Sequence, residues 1–120
     1  MPVPSNFLGA GNSPLSTNAN FGTPASYAGA GTTAADATAI TSGSFITLTG
    51  GSNSGVKLPP TEAGMWFVFR NDGGNTIKLY PNTTGTTINA AQASLDIATA
   101  RTCIVWAVTS TTLASITAAS

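Results

Sequence analysis

The chain has 120 residues, of which 7% are charged, with four basic side chains balancing four acidic ones and no histidine. That length fits one domain with a modest core. The charge content, far below the roughly 25% of an ordinary soluble domain, speaks against a nucleic-acid partner. Lys57, Arg70, Lys78 and Arg101 are scattered and form no basic stripe that would neutralise phosphates.

The first 36 residues are dense in Gly, Ala, Ser, Asn and Pro and follow neither a helical nor a strand period. Large apolar residues come singly, as Phe7, Leu8, Leu15, Phe21 and Tyr27. The composition suits a disordered leader. The spacing of the apolar residues suits an extended arm that anchors to a partner, and residues 1–36 are assigned as such an arm, with 37–120 as the folded body. The opening residues, MPVPSNFLGAGNSP, lack the basic and long apolar regions of a signal peptide. No stretch approaches the roughly 18–20 apolar residues of a membrane span. Synthesis in a cytoplasm and no membrane partner are expected.

From about residue 38 threonine and branched residues recur, with turn signals at the rhythm of an all-β protein. Strands are expected near 44–49, 55–58, 65–70, 76–80, 86–89, 94–98, 101–109 and 112–117, with a weakly supported helix at 34–40. The connectors GGSNSG, PPTEAG, NDGGN and PNTTG supply glycine and proline for turns. NDGGN, between two strand-like runs, reads as a hairpin. The fold expected is a small antiparallel β-barrel or sandwich, jelly-roll-like.

Several strands alternate between apolar and polar, as half-buried strands do. In TIKLY, Ile77 and Leu79 oppose Thr76, Lys78 and Tyr80; in SLDIA, Leu95 and Ile97 oppose Asp96. Two runs do not alternate. In MWFVFR, Met65, Phe67 and Phe69 lie on one face, with Trp66 and Val68 on the other. In TCIVWAV, Cys103, Val105 and Ala107 oppose Ile104, Trp106 and Val108. A strand apolar on both faces needs cover on both, so self-association is expected, with Met65, Phe67, Phe69 and Trp106 at the interface and a trimer as the assembly. The bland reading, two central strands of a sandwich, needs less of a partner.

Little in the chain suggests catalysis. Serine is plentiful, but a serine nucleophile needs a base and histidine is absent. The acids Asp36, Glu62, Asp72 and Asp96 form no evident glycosidase pair. Cys103 is the single cysteine, which leaves no internal disulfide and no cysteine metal cluster, and its apolar run points to an inert buried thiol. GGSNSGVK fails as a phosphate loop because Leu58-Pro59-Pro60 follows the lysine where a helix should begin. No enzyme activity, metal or cofactor is expected. A carbohydrate-binding module, with Trp66, Trp106 or Tyr80 as a stacking platform, is an alternative; Tyr80, on the wet face of its strand, is the best exposed ring.

The stretch VKLPPTEAGMWFVFRNDGGNTIKLYPNTTGTTIN resembles a β module of tailed-bacteriophage proteins. The features that carry the likeness are Leu58-Pro59, Ala63-Gly64, Phe67 to Asn71, Gly74-Asn75, Leu79-Tyr80-Pro81 and Gly85 to Ile88. It extends loosely over residues 38–117. Together with the short chain and the leader, it looks most like a capsid decoration (cement) protein. That resemblance implies a structural virion protein, a homotrimer on the outer surface of a phage head. The major capsid protein would be its partner, and the terminal arms would reach over neighbouring capsomers. A head-fibre, tail-fibre or appendage role is the other member of the same class.

Overall fold

The computed structural model describes Gly11 and residues 22–118, and among them the chain is all β, with no helix. Ten strands run in order: β1 Pro24–Gly29, β2 Thr38–Ala39, β3 Phe45–Gly50, β4 Ser54–Lys57, β5 Trp66–Asn71, β6 Ile77–Tyr80, β7 Thr87–Ile88, β8 Leu95–Ile97, β9 Thr102–Thr109 and β10 Thr112–Thr117. They form two sheets, A in the order β1-β3-β5-β9-β10-β7 and B in the order β2-β4-β6-β8. From β1 to β6 the chain alternates between the sheets, in the manner of a β-solenoid. Pro24 pairs with Phe45 and Phe45 with Val68, a coil of roughly 20 residues.

This winding makes four of the eight strand pairings parallel, and β7 with β10 is a fifth. The ladder directions therefore differ from the expected antiparallel pattern. Consecutive strands here belong to opposite sheets, and each strand meets the next coil running the same way. NDGGN is accordingly a corner between sheets and not a hairpin, since β5 lies in sheet A and β6 in sheet B. Asn71 builds that corner. Its buried side-chain amide donates to the carbonyls of Asn75 and Ile97, both at 2.8 Å, and its carbonyl oxygen accepts from the Gly73 N–H at 2.9 Å.

Closer to the chain start, Gly29 and Gly50 pair across the ladder. A Cβ on Gly50 would stand 2.5 Å from the Ser54 hydroxyl oxygen and 2.9 Å from Ile77 Cδ1. The absent side chain is what lets the coils stack closely at this corner. The parallel stack ends where the direction reverses: β9 runs antiparallel to β5, and β8 antiparallel to β6.

One core lies between the sheets. Sheet A contributes Ile46, Leu48, Phe67, Phe69, Cys103, Val105 and Leu113, and sheet B contributes Val56, Ile77, Leu79 and Ile97. Along the ladder the inward rungs are Ala25–Ile46–Phe69 and Tyr27–Leu48–Asn71. Residues 24–30 belong to this body. Tyr27 packs against the core, and the bridge between Ala30 and Gly55 ties the end of β1 to sheet B. The body is thus continuous across the boundary expected at residues 36 and 37. In place of the helix expected at 34–40 there is a turn running into β2.

Candidate functional site

Alternation along β5 and β9 sends every second side chain away from the core. Trp66 lies opposite Trp106 and Val68 opposite Ile104. On β10, Ala114 lies opposite Trp106 and Ile116 opposite Ile104. On β3, Phe45 is the register partner of Val68, and its ring meets Trp66 edge to face with centroids 5.5 Å apart. These residues form one apolar surface on the outside of sheet A. Phe45, Trp66, Ile104, Val108 and Ile116 are 41, 42, 43, 54 and 62% exposed, against 0% for Phe69 inside the same sheet. A charge sits at its margin, where Arg70 pairs with Asp72.

This placement corrects the expected interface. Phe67 and Phe69 are buried in the protein's own core and stack on each other at 6.0 Å, so neither is available to a partner. Met65 packs against the same core. Trp106 alone of the four lies on the outer face, half-buried. Pattern reading separated the two faces of β5 correctly but chose the wrong one as outward. The sheet-B residues that share one core with Phe67 and Phe69 come from β4, β6 and β8, and nothing local in the strand names them. Phe45 and Ile116 are the single large apolar residues on the outward faces of FITLTG and TLASIT, so neither strand showed an apolar row on its second face.

Of the expected arm anchors, Phe7, Leu8, Leu15 and Phe21 lie outside the described residues. Tyr27 lies in β1 and is held by the turn before β3. Its hydroxyl donates to the Ser42 carbonyl at 3.0 Å and accepts from the Thr41 and Ser42 N–H groups at 3.1 and 3.0 Å. Hydrogen bonds from Ser42 and then Thr41 lower its pKa to about 8. Cys103 is fully buried, and burial raises its thiol pKa, which suits an inert core residue.

The outer face of sheet A thus holds no nucleophile beside a base. What it offers is apolar area. Covering what remains exposed of a side chain such as Ile116 stabilises an assembly by half or so of the roughly 1.5–3 kcal/mol that full burial gives, and monomers seldom leave such a continuous surface bare. Comparison of the chain with family models, with curated proteins and with solved structures finds no match.

Proposed function

We propose that this chain is a structural protein that works by association, and that it is a trimeric decoration (cement) protein on the outer surface of a phage head. The observation that carries association is the apolar surface on the outside of sheet A. The virion setting, the homotrimer and the major capsid protein as partner come from the resemblance in residues 38–117. In this reading the surface is covered by neighbouring copies of the chain. Residues 1–21, with Phe7, Leu8, Leu15 and Phe21, grip adjacent capsomers. Three such contacts on one trimer act together at high effective concentration, so each need only be weak. The protein is made in the host cytoplasm and ends on the particle. It carries no enzyme activity and needs no metal or cofactor. The reading does not depend on a closed barrel or a jelly-roll.

A fibre or appendage role is the second reading. The observation that favours it is the edge at β1 and β2, where the parallel stack has no further coil among the described residues.

Sedimentation of the purified chain, followed by copy counting on reconstituted heads, tests the proposal. A trimer that binds undecorated heads in many copies is the expected result. The double variant Trp66→Asp, Ile104→Asp should remain folded, sediment as a monomer and fail to decorate. A chain that stays monomeric at all concentrations would overturn the reading. A handful of copies per particle would favour the fibre. Removing residues 1–21 should leave the trimer intact and abolish decoration.

A further inference from the structure

The outside of sheet B is a different chemical surface from that of sheet A. Lys57 and Tyr80 are register partners on β4 and β6, and Lys78 and Asp96 are partners on β6 and β8. All four side chains therefore stand on one face. A cleft of about 520 Å³ opens at the Tyr80 end, between the loop preceding β2 and the loop following β6. Lys57, Tyr80, Thr33, Asn82, Thr84 and Ser94 are among its walls. A second cleft, of about 320 Å³, lies at the other end of the same strands, against Asn53, Asn75, Thr76, Lys78 and Asp96.

Three properties of this track favour one ligand chemistry. The first is a fixed aromatic plane. The Tyr80 ring lies against the backbone of Gly55, where a Cβ would sit 2.6 Å from Cε2, and its hydroxyl donates to the Thr32 carbonyl at 3.0 Å. A ring already held in place loses little entropy on binding, and its electron-rich face attracts the C–H face of a sugar. The second is the abundance of amide and hydroxyl groups in both clefts, which suit the donor and acceptor hydroxyls of a saccharide. The third is charge. The Lys78 ammonium is paired with the Asp96 carboxylate at 2.7 Å, whereas Lys57 has no ion-pair partner among the described residues. Asp36, on the loop preceding β2, accepts the Thr33 N–H and hydroxyl on one carboxylate oxygen, each at 2.8 Å, and is not among the cleft's walls. Lys57 is the cation that lines the cleft.

We propose that this face binds an acidic oligosaccharide. One sugar ring packs on Tyr80, its carboxylate meets Lys57, and the chain runs along sheet B toward the Lys78–Asp96 pair. Because the site lies on the sheet opposite the association surface, it stands or falls independently of the assembly proposal.

A glycan array carrying acidic and neutral oligosaccharides, probed with the full chain, is the first test. Titration calorimetry with the best acidic binder follows. Binding is expected for acidic members only and should weaken with added salt. Lys57→Gln should lower affinity about tenfold, and Tyr80→Ala at least about tenfold. Tyr80→Phe keeps the ring and should stay within about twofold of the wild type. All three variants should sediment like the wild type. If Tyr80→Ala fails to fold, Lys57→Gln and Tyr80→Phe carry the test. No binding on the array, equal binding of neutral glycans, or indifference to Lys57→Gln would each overturn the proposal.

Discussion

The outer faces of the two sheets obey the same alternation and end with opposite chemistry. Sheet A turns Phe45, Trp66, Val68, Ile104, Trp106 and Ile116 outward; sheet B turns out Lys57, Lys78, Tyr80 and Asp96. Inward, both supply aliphatic side chains to one core, with Phe67 and Phe69 added by sheet A. The chain has only eight charged residues, and three of them stand on the outer face of sheet B. Sheet B carries its charges across its outer face, on β4, β6 and β8, whereas the outer face of sheet A has Arg70, paired with Asp72, at its margin. A fold that needed only solubility would wet both.

The sharpest way to break that comparison is to change the two sides of one strand. Phe69→Ala removes a fully buried ring and should cost about 3–5 kcal/mol of stability. Trp66→Ala, three residues earlier and facing out, should cost about 1 kcal/mol or less in the isolated chain while weakening self-association. Urea unfolding of dilute protein and sedimentation of concentrated protein separate the two effects. If Trp66→Ala destabilises the dilute monomer as much as Phe69→Ala, the outer face is part of the protein's own core and the division fails.

Much of this division can be read from residues alone. The eight strands from β3 to β10 each fall within a residue or two of their expected bounds, and β3 to β7 end within two residues of a glycine, proline or asparagine. The inward faces of β6 and β8 follow directly from TIKLY and SLDIA. The strands β1 and β2 were not legible. PASYAG has no β-branched residue, and it forms a strand because its ladder partner FITLTG offers a matching glycine and larger neighbours. That is a tertiary cause with no local signature. The corner at NDGGN misled for a related reason: a glycine-rich turn between two strands looks the same whether the second strand pairs with the first or crosses to another sheet. Asn71, whose burial and three hydrogen bonds distinguish the two cases, is polar and gives no hint of it in the sequence. For the candidate surface, periodicity named the two faces of β5 and β9, and only packing could say which one was outside.

Gly50 tests the stacking that places the two sheets back to back. Gly50→Ala puts a methyl group against the Ser54 hydroxyl and Ile77 Cδ1. Overpacking of this kind costs about 1–3 kcal/mol. Thermal unfolding should register the loss, and Gly51→Ala, whose Cβ would meet nothing within 4 Å, is the matched control. Equal behaviour of the two variants would mean that the coils are not in close contact at this corner.

The smallest effect concerns Tyr27, at the edge of sheet A where the dry face gives way to polar turns. Its phenol pKa is lowered from 10.0 to about 8, first by the Ser42 and Thr41 side chains and then by their backbone groups. Ionisation gives up the donation to the Ser42 carbonyl but keeps the two N–H donors aimed at the oxygen. Below about pH 8 the phenol is neutral in both folded and unfolded chains and adds no pH dependence. Between about pH 8 and 10 the unfolded chain holds the proton that the folded chain has released, so stability rises with pH; above 10 the gain is complete. The ring is partly buried but its hydroxyl meets the surface turn, where solvent screening keeps the gain small. In Tyr80→Phe, where Tyr27 is the remaining tyrosine of the two, an ultraviolet difference titration should find ionisation near pH 8. The urea midpoint of that variant should climb between pH 8 and 10 relative to one that also carries Tyr27→Phe. A titration near 10 would mean that the turn at Thr41 and Ser42 does not clasp the hydroxyl, and that β1 is held to the body by its ladder with β3, the packing of Tyr27 and the Ala30–Gly55 bridge.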